Sequence, residues 1–257
     1  MKNMTEGKPL RLILFFAIPM FIGRLFGLFY SLVDTRIVGE TLGEASLAAV
    51  GATSTLSDLL TNLLNGFANG AAIIVATYFG AKDEKNVKKA AGGTALIGVG
   101  SAAAVSVLCL LFLGPILRFM NIADDIFPQA QSYIRIVLAG FLASACYNLC
   151  AAVLRAVGDS FTPLLFLVIA SVLNIALDYL FILWFHMGVE GAAYATVVSQ
   201  ALSAAACFIY MRKKYPLLAL SGEDMKIEKE VYRRLVTTGS SMAFMTSFVS
   251  LGTLALQ

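Results

Sequence analysis

Charged residues are scarce in this sequence. Only 14% of its 257 residues are Asp, Glu, Lys or Arg, and 59% are apolar, whereas roughly a quarter of the residues in a soluble domain are charged. The mean hydropathy is +0.81. The composition therefore excludes an ordinary soluble domain and predicts a protein embedded in a lipid bilayer.

The residue patterns of catalysis and metal binding are also missing. The four cysteines all fall inside long apolar runs, so we expect packing side chains rather than disulfides or a zinc site. The single histidine, His186, lies at the end of such a run, and no Gly-rich phosphate loop or Ser/His/Asp site occurs. We predict neither an enzyme nor a nucleic-acid-binding protein, with no cofactor and no metal beyond Na⁺.

Long apolar runs organise the chain instead. A helix needs about 20 residues to cross a hydrocarbon core of about 30 Å, and six runs reach that length before a seventh begins at Leu235. We predict an all-α polytopic membrane protein with a six-helix lobe over residues 1–211, a cytoplasmic linker over 212–234 and the start of a second lobe over 235–257. The predicted spans are 10–38, 52–79, 91–113, 130–154, 163–185 and 192–211.

The chain stops inside the seventh run. This favours a truncated chain that lacks a C-terminal lobe, and the alternative is a complete six-helix lobe that pairs with a second copy.

The basic residues give the orientation. Fifteen of the 19 Lys and Arg residues fall on one side of the predicted topology, and such segments normally lie in the cytoplasm. The first run is too long for a removable signal peptide and lacks a small-residue cleavage pattern. We therefore expect a multi-pass protein of the plasma (inner) membrane with a cytoplasmic N-terminus.

Four polar residues in the outer half of the spans form a candidate cation site. Asn174 and Asp178 are four residues apart and share one helix face, while Asp34 and Thr196 lie at similar depth in the first and sixth spans. Their oxygens suit Na⁺, and two neighbouring acids equally suit a proton. The alternative is that they form interhelical hydrogen bonds, which is the favoured interpretation for Thr196 alone.

Other polar residues within the spans are candidates for a cavity or a bend. Five residues of the second span recur at helical spacing and form one polar face, which predicts cavity lining or, alternatively, packing. Arg24 must reach the interface, line the cavity or meet an acid, because a charge at bilayer depth is costly. Pro19 interrupts the hydrogen bonding of the first span and predicts a kink there, either fixed or switching. The polar face comprises Ser54, Asp58, Asn62, Asn65 and Asn69.

Several motifs together resemble the multidrug and toxic compound extrusion (MATE) family. Residues 30–39 read YSLVDTRIVG, similar to the acidic motif of that family, and residues 154–163 read LRAVGDSFTP, similar to its cytoplasmic loop signature. Further similarities are GAK at 80–82, Asn174 through Asp178, and GAAYAT at 191–196 with Ser199 and Gln200. The resemblance covers essentially the whole chain and is closest to the DNA-damage-inducible branch.

The resemblance implies a twelve-helix antiporter of two six-helix lobes that exports cationic or amphipathic drugs in exchange for Na⁺ or H⁺. It assigns the cation site to Asp34, Asn174, Asp178 and Thr196, and it links Pro19 to bending of the first helix. For the loop motif of Arg155, Gly158, Asp159 and Pro163, we weigh a local Arg155–Asp159 ion pair equally against a gating role. The expected partners are the bilayer, small-molecule substrates, and a missing C-terminal lobe or a second copy.

Two other functions remain open from the sequence. A lipid-linked saccharide flippase of the same superfamily would need a strongly basic cavity for phosphates, whereas Asp34, Asp58 and Asp178 make this one largely acidic. The second alternative is a fragment that does not transport.

Overall fold

A computed structural model describes residues 9–218 and 228–255. These residues form eight α-helices and two short helical turns, a π-helical turn over Tyr179–Trp184 and a 3-10 turn over Pro216–Leu218. The helices are α1 Pro9–Leu42, α2 Glu44–Gly80, α3 Glu84–Leu111, α4 Leu113–Phe119, α5 Phe127–Ala156, α6 Phe161–Asp178, α7 Val189–Lys214 and α8 Lys229–Ala255.

The six predicted spans are confirmed. Six helical segments are long and apolar enough to cross a bilayer. They are α1, α2, α3, α5, α6 with its π-helical turn, and α7. Each begins before its predicted run, as where α2 begins at Glu44 rather than at residue 52, and α1, α2, α5 and α7 also end after theirs. This difference has a simple cause, since hydropathy marks only the part of a helix inside hydrocarbon and the helix continues into the polar interface.

The short helix α4 was not predicted as a separate element. Its seven residues fall well below the length of a span. It follows α3 directly at Leu113, with Leu113 and Leu117 buried against α5.

The helix order places most basic residues at one end of the bundle, which we call the basic end. The α2–α3 and α5–α6 turns, the end of α7 and the start of α8 meet there, and Lys89 of α3 forms an ion pair with Glu228 just before α8. Residues 1–8, with Lys2 and Lys8, and residues 219–227, in the predicted linker, lie outside the described residues. The described basic residues of this end are Lys82, Lys85, Lys88, Lys89, Arg155, Arg212, Lys213, Lys214, Lys229, Arg233 and Arg234.

Helix α5 is at the centre of the packing and contacts α2, α3 and α7. Small residues allow the closest approaches, and at Gly66 an added Cβ would lie 2.6 Å from the Cα of Ala243 in α8. At the edge, α1 packs mainly on α6. Only the outer end of α1 carries buried side chains, at Ile37 and Val38, among those described. The rest of α1 is therefore weakly held.

Candidate functional site

Two acidic side chains meet at the outer end of α1 and α6. The carboxyl groups of Asp34 and Asp178 lie within hydrogen-bonding distance of each other. Asp178 is fully buried and Asp34 is half-buried. One oxygen of each carboxyl group, Oδ1, is buried without a hydrogen-bond partner. The structure thus brings together the two acids that the sequence placed in separate spans.

Asn174 joins this pair to the neighbouring helices. Its amide, oriented so that both ends find partners, donates to Asp178 Oδ2 and to the Tyr30 hydroxyl, both at 3.1 Å. The amide oxygen accepts from the backbone N–H of Thr196 at 3.0 Å. Asn174 is 1% exposed, so these contacts are shielded from solvent. All four residues of the predicted cation site therefore belong to one cluster.

Two tyrosines of the cluster were not predicted as site residues. Tyr30 hydrogen-bonds the Thr196 side chain and lies one helical turn before Asp34, a four-residue spacing that could have identified it. Tyr133 of α5 is buried close to both carboxyl groups. No sequence signal marked Tyr133, because the approach of α5 to the acids depends on three-dimensional packing.

The helix geometry changes directly after Asp178. Residues Tyr179–Trp184 continue α6 as a π-helical turn, a rare conformation that often occurs at functional sites. A π-helical turn contains more residues than an α-helical turn, so it rotates the following side chains relative to Asp178. This turn is absent from the sequence prediction because it leaves the apolar pattern unchanged.

The cluster has the chemistry of a cation or proton site. Two carboxyl groups in contact inside a bundle repel each other when both are ionised. A proton shared between them, or a cation held by their free oxygens, removes that repulsion. Oxygen ligands from carboxyl, amide and hydroxyl groups suit hard cations.

The predicted polar face of α2 is only partly directed toward this cluster. Asp58 is exposed and lies near Tyr133, and Ser54 is exposed one turn away. Asn62 and Asn65 are half-buried, with α8 close by, since Thr246 donates to the Asn62 carbonyl at 3.0 Å. Asn69 instead accepts a hydrogen bond at 3.4 Å from Arg155.

Arg24 and Pro19, the two other candidate residues of α1, both lie away from the acids. Arg24 is exposed and pairs with no acid among the described residues. Pro19 lies within one continuous helix, where it lacks the N–H that would complete the hydrogen bonding.

The suggested ion pair between Arg155 and Asp159 is wrong. Arg155 turns toward Asn69 of α2, whereas Asp159 accepts from Thr162 N–H at 3.0 Å and from the Tyr215 hydroxyl at 2.5 Å. The physical reason is that the chain turns at Gly158, which has a positive φ of 91°, and this turn ends the helical spacing that would have stacked the two side chains. Pro163 is buried near this loop, and its carbonyl accepts from Tyr147 at 2.8 Å.

The loop environment changes the acidity of Asp159. Burial alone would raise the pKa of its carboxyl group, but hydrogen bonds from Tyr215 and Thr162 and the nearby Lys214 ammonium lower that pKa below its usual value. Asp159 is therefore held as a carboxylate that joins the α5–α6 loop to the end of α7.

The described chain combines six helical segments able to span a membrane with two acids in contact, each of which has a buried oxygen without a hydrogen-bond partner. Because charged groups at bilayer depth are retained for ion or substrate pathways, this combination defines a polytopic membrane transporter. A sequence profile of the MatE family matches residues 19–180. The chain belongs to this family, whose members are multidrug efflux transporters and not enzymes.

Individual relatives agree with this assignment. The chain is 30% identical over 78% of its length to the probable multidrug resistance protein YpnP of Bacillus subtilis, covering 45% of that protein. It is 26% identical over 86% of its length to DNA damage-inducible protein F of Escherichia coli, covering 48% of it. The chain thus spans about half the length of the curated relatives it matches.

A solved structure gives the same result for the fold. An outward-facing conformation of a multidrug resistance MATE family transporter matches 98% of this chain and 56% of its own, with a TM-score of 0.91 and 26% identity. The prediction of an all-α membrane lobe of the MATE type is confirmed.

Proposed function

We propose that this chain is the cation-coupled lobe of an antiporter that exports cationic or amphipathic compounds in exchange for Na⁺ or H⁺. The observation that carries the proposal is the contact between Asp34 and Asp178, each with an unpartnered buried oxygen. The relatives named as multidrug resistance proteins support the substrate class. The remainder of the transport cavity would come from a second lobe or a second copy.

Coupling requires that the ion distinguish between two arrangements of the helices, because a ligand with equal affinity for both shifts nothing. Asp34 lies on α1, whereas Asn174 and Asp178 lie on α6. A cation or proton bound between them therefore stabilises the contact of these two helices. Loss of the ion restores the repulsion and favours separation.

Helix α1 is suited to such a movement. No described side chain from Leu10 to Arg36 is buried, and burial begins at Ile37. Pro19 weakens the hydrogen bonding in this poorly packed part. We therefore propose that α1 bends near Pro19 when the two acids separate.

The acids also favour positively charged substrates. Asp58 is exposed on the polar face of α2 near Tyr133, and a cavity that contains this carboxylate attracts cations. A flippase for phosphate-linked saccharides requires the opposite charge. Stabilisation of the purified protein by a cationic dye, and not by a polyprenyl phosphate, separates the two functions.

We also propose that the protein lies in the plasma membrane with its basic end in the cytoplasm. The clustering of Lys and Arg at that end supports this orientation through the positive-inside rule. Helix α1 begins at the same end, so we expect a cytoplasmic N-terminus.

The test neutralises each acid. In cells that express the protein, we expect Asp34→Asn and Asp178→Asn each to lower ethidium efflux by at least roughly five-fold, the lower range of typical coupling between sites. Both variants should also remove its dependence on Na⁺ or on pH. The matched control is Asp125→Asn, which neutralises an exposed acid in the α4–α5 loop. Efflux and ion dependence at wild-type levels in both variants would show that this site does not couple transport.

A further inference from the structure

An apolar groove runs along the outside of the bundle at its basic end. It holds about 520 Å³ and is lined by residues of α3, α5, α7 and the 3-10 turn, none of them charged. Helices α3 and α7 form its two walls and α5 forms its floor, since both pack on α5. Cys146 and Cys150 lie on that floor. These two cysteines have no function in the candidate cation site, and their sequence pattern indicates none.

The groove is as long as one leaflet of a bilayer. Its α3 wall extends from Ala91 to Val99 and its α7 wall from Ala201 to Met211, which correspond to about 12 and 15 Å at about 1.5 Å per residue. Half of a hydrocarbon core measures about 15 Å. Two of its lining residues, Leu142 and Phe208, are 38% and 43% exposed, so the groove opens to the outside of the bundle. A hydrocarbon chain of the adjacent leaflet therefore fits the groove lengthwise.

Two basic residues extend the walls beyond the apolar part. Lys88 precedes Ala91 by three residues, so it lies on the wall-forming face of α3. Arg212 follows Phe208 by four residues, and its guanidinium lies 5.7 Å from the centre of the Phe208 ring. Both residues therefore stand at the mouth of the groove.

These two charges have no acidic partner among the described residues. The neighbouring Lys89 pairs with Glu228, and Lys214 pairs with Asp159. Lys88 and Arg212 take part in none of the ion pairs of the described chain. The mouth of the groove is thus positively charged, whereas the groove itself is lined by uncharged residues.

We propose that the groove binds an anionic phospholipid of the leaflet at the basic end. One acyl chain lies between α3 and α7 on α5, and the phosphate of the headgroup contacts Lys88 and Arg212. The charge at the mouth selects the headgroup, because basic pockets between transmembrane helices on the cytoplasmic side bind anionic lipid headgroups. The apolar groove selects a lipid over a free anion, because a free anion would leave the groove empty.

The experiment measures lipid retention. The purified protein is mixed with equal amounts of phosphatidylglycerol and phosphatidylcholine with identical acyl chains, and bound lipid is counted by native mass spectrometry. We expect phosphatidylglycerol to be retained preferentially, and Lys88→Gln and Arg212→Gln each to weaken its retention roughly five-fold, the effect of removing one basic residue near an anionic surface. Lys213→Gln, an exposed neighbour of Arg212 on a different face, is the matched control.

A second variant tests the apolar part of the groove. Ala205 lines the α7 wall and is exposed, so Ala205→Phe fills the groove without disturbing the core. We expect it to reduce crosslinking of a phosphatidylglycerol that carries a diazirine in its acyl chain, with wild-type crosslinks mapping to α3, α5 and α7.

Several results would overturn the proposal. Equal retention of the two lipids by the wild type would show only non-specific annular lipid. The same conclusion follows if Lys213→Gln weakens retention as much as Arg212→Gln does, or if wild-type crosslinks fall on other helices. Phosphatidylglycerol retention that survives in both Lys88→Gln and Arg212→Gln would exclude the headgroup contact. None of these readouts depends on transport.

Discussion

At the scale of single residues, Asp159 has the densest set of polar contacts at the basic end. Its carboxylate accepts from the Thr162 backbone and side chain, from the Tyr215 hydroxyl at 2.5 Å and from Lys214 at 3.5 Å. We expect Asp159→Asn to lower the free energy of unfolding by about 1–3 kcal/mol, because a partly buried hydrogen-bond network loses its charged acceptor. The measurement is the thermal unfolding midpoint of the purified protein.

The same variant has an expected pH dependence. Because the pKa of Asp159 is lowered in the folded state, its carboxylate contributes stability above its unfolded pKa of about 3.9. This contribution is lost as the pH falls through the lower folded pKa. The difference in midpoint between wild type and Asp159→Asn should therefore shrink below about pH 4. A difference that stays constant down to pH 3, or one shared by Asp125→Asn, would contradict this role.

Single residues also mark the limit of what the sequence predicted about the site. Asp34, Asn174, Asp178 and Thr196 could be grouped because depth and helix face follow from span boundaries and spacing. Tyr133 could not, since the approach of α5 to the acids depends on three-dimensional packing.

At the scale of helices, α2 and α8 approach each other closely at two glycines of α2. A Cβ at Gly66 would lie 2.6 Å from the Cα of Ala243, and a Cβ at Gly70 would lie 2.6 Å from the carbonyl oxygen of Thr238. We expect Gly66→Ala to destabilise the protein by about 1–3 kcal/mol, because neither backbone can yield without separating the helices. Thermal unfolding of the purified protein measures this effect.

Gly51 provides the control on the same helix. A Cβ there would meet nothing within 4 Å, so Gly51→Ala should be neutral or stabilise the helix by about 0.5–1 kcal/mol. Equal unfolding midpoints for the two alanine variants would show that the α2–α8 contact does not need glycine.

The membrane-spanning helices were easier to predict than their local irregularities. The six spans follow from runs of apolar residues, which the bilayer requires. The π-helical turn at Tyr179–Trp184 and the short α4 carry no such requirement. Loop contacts such as Arg155 with Asn69 depend on where a turn directs the chain, and spacing within one helix does not describe that.

At the scale of the whole molecule, the uneven distribution of basic residues predicts the orientation. Lys85, in the first turn of α3, and Ala123, in the α4–α5 loop, are exposed at opposite ends. In intact cells, we expect a membrane-impermeant maleimide to label Ala123→Cys and to spare Lys85→Cys. Both should be labelled after permeabilisation, which controls for thiol reactivity. The reverse pattern in intact cells would show that the basic end faces outward.

The way in which α8 is attached to the bundle has a mechanical consequence. Tyr215, just after α7, is hydrogen-bonded to Asp159, and Glu228, just before α8, is ion-paired with Lys89. Helix α8 then runs against α2 at Gly66 and Gly70 without room for another carbon atom. Helices α2 and α8 therefore behave as one rigid pair. Any rotation of this lobe must move α8 with it or separate the two helix backbones.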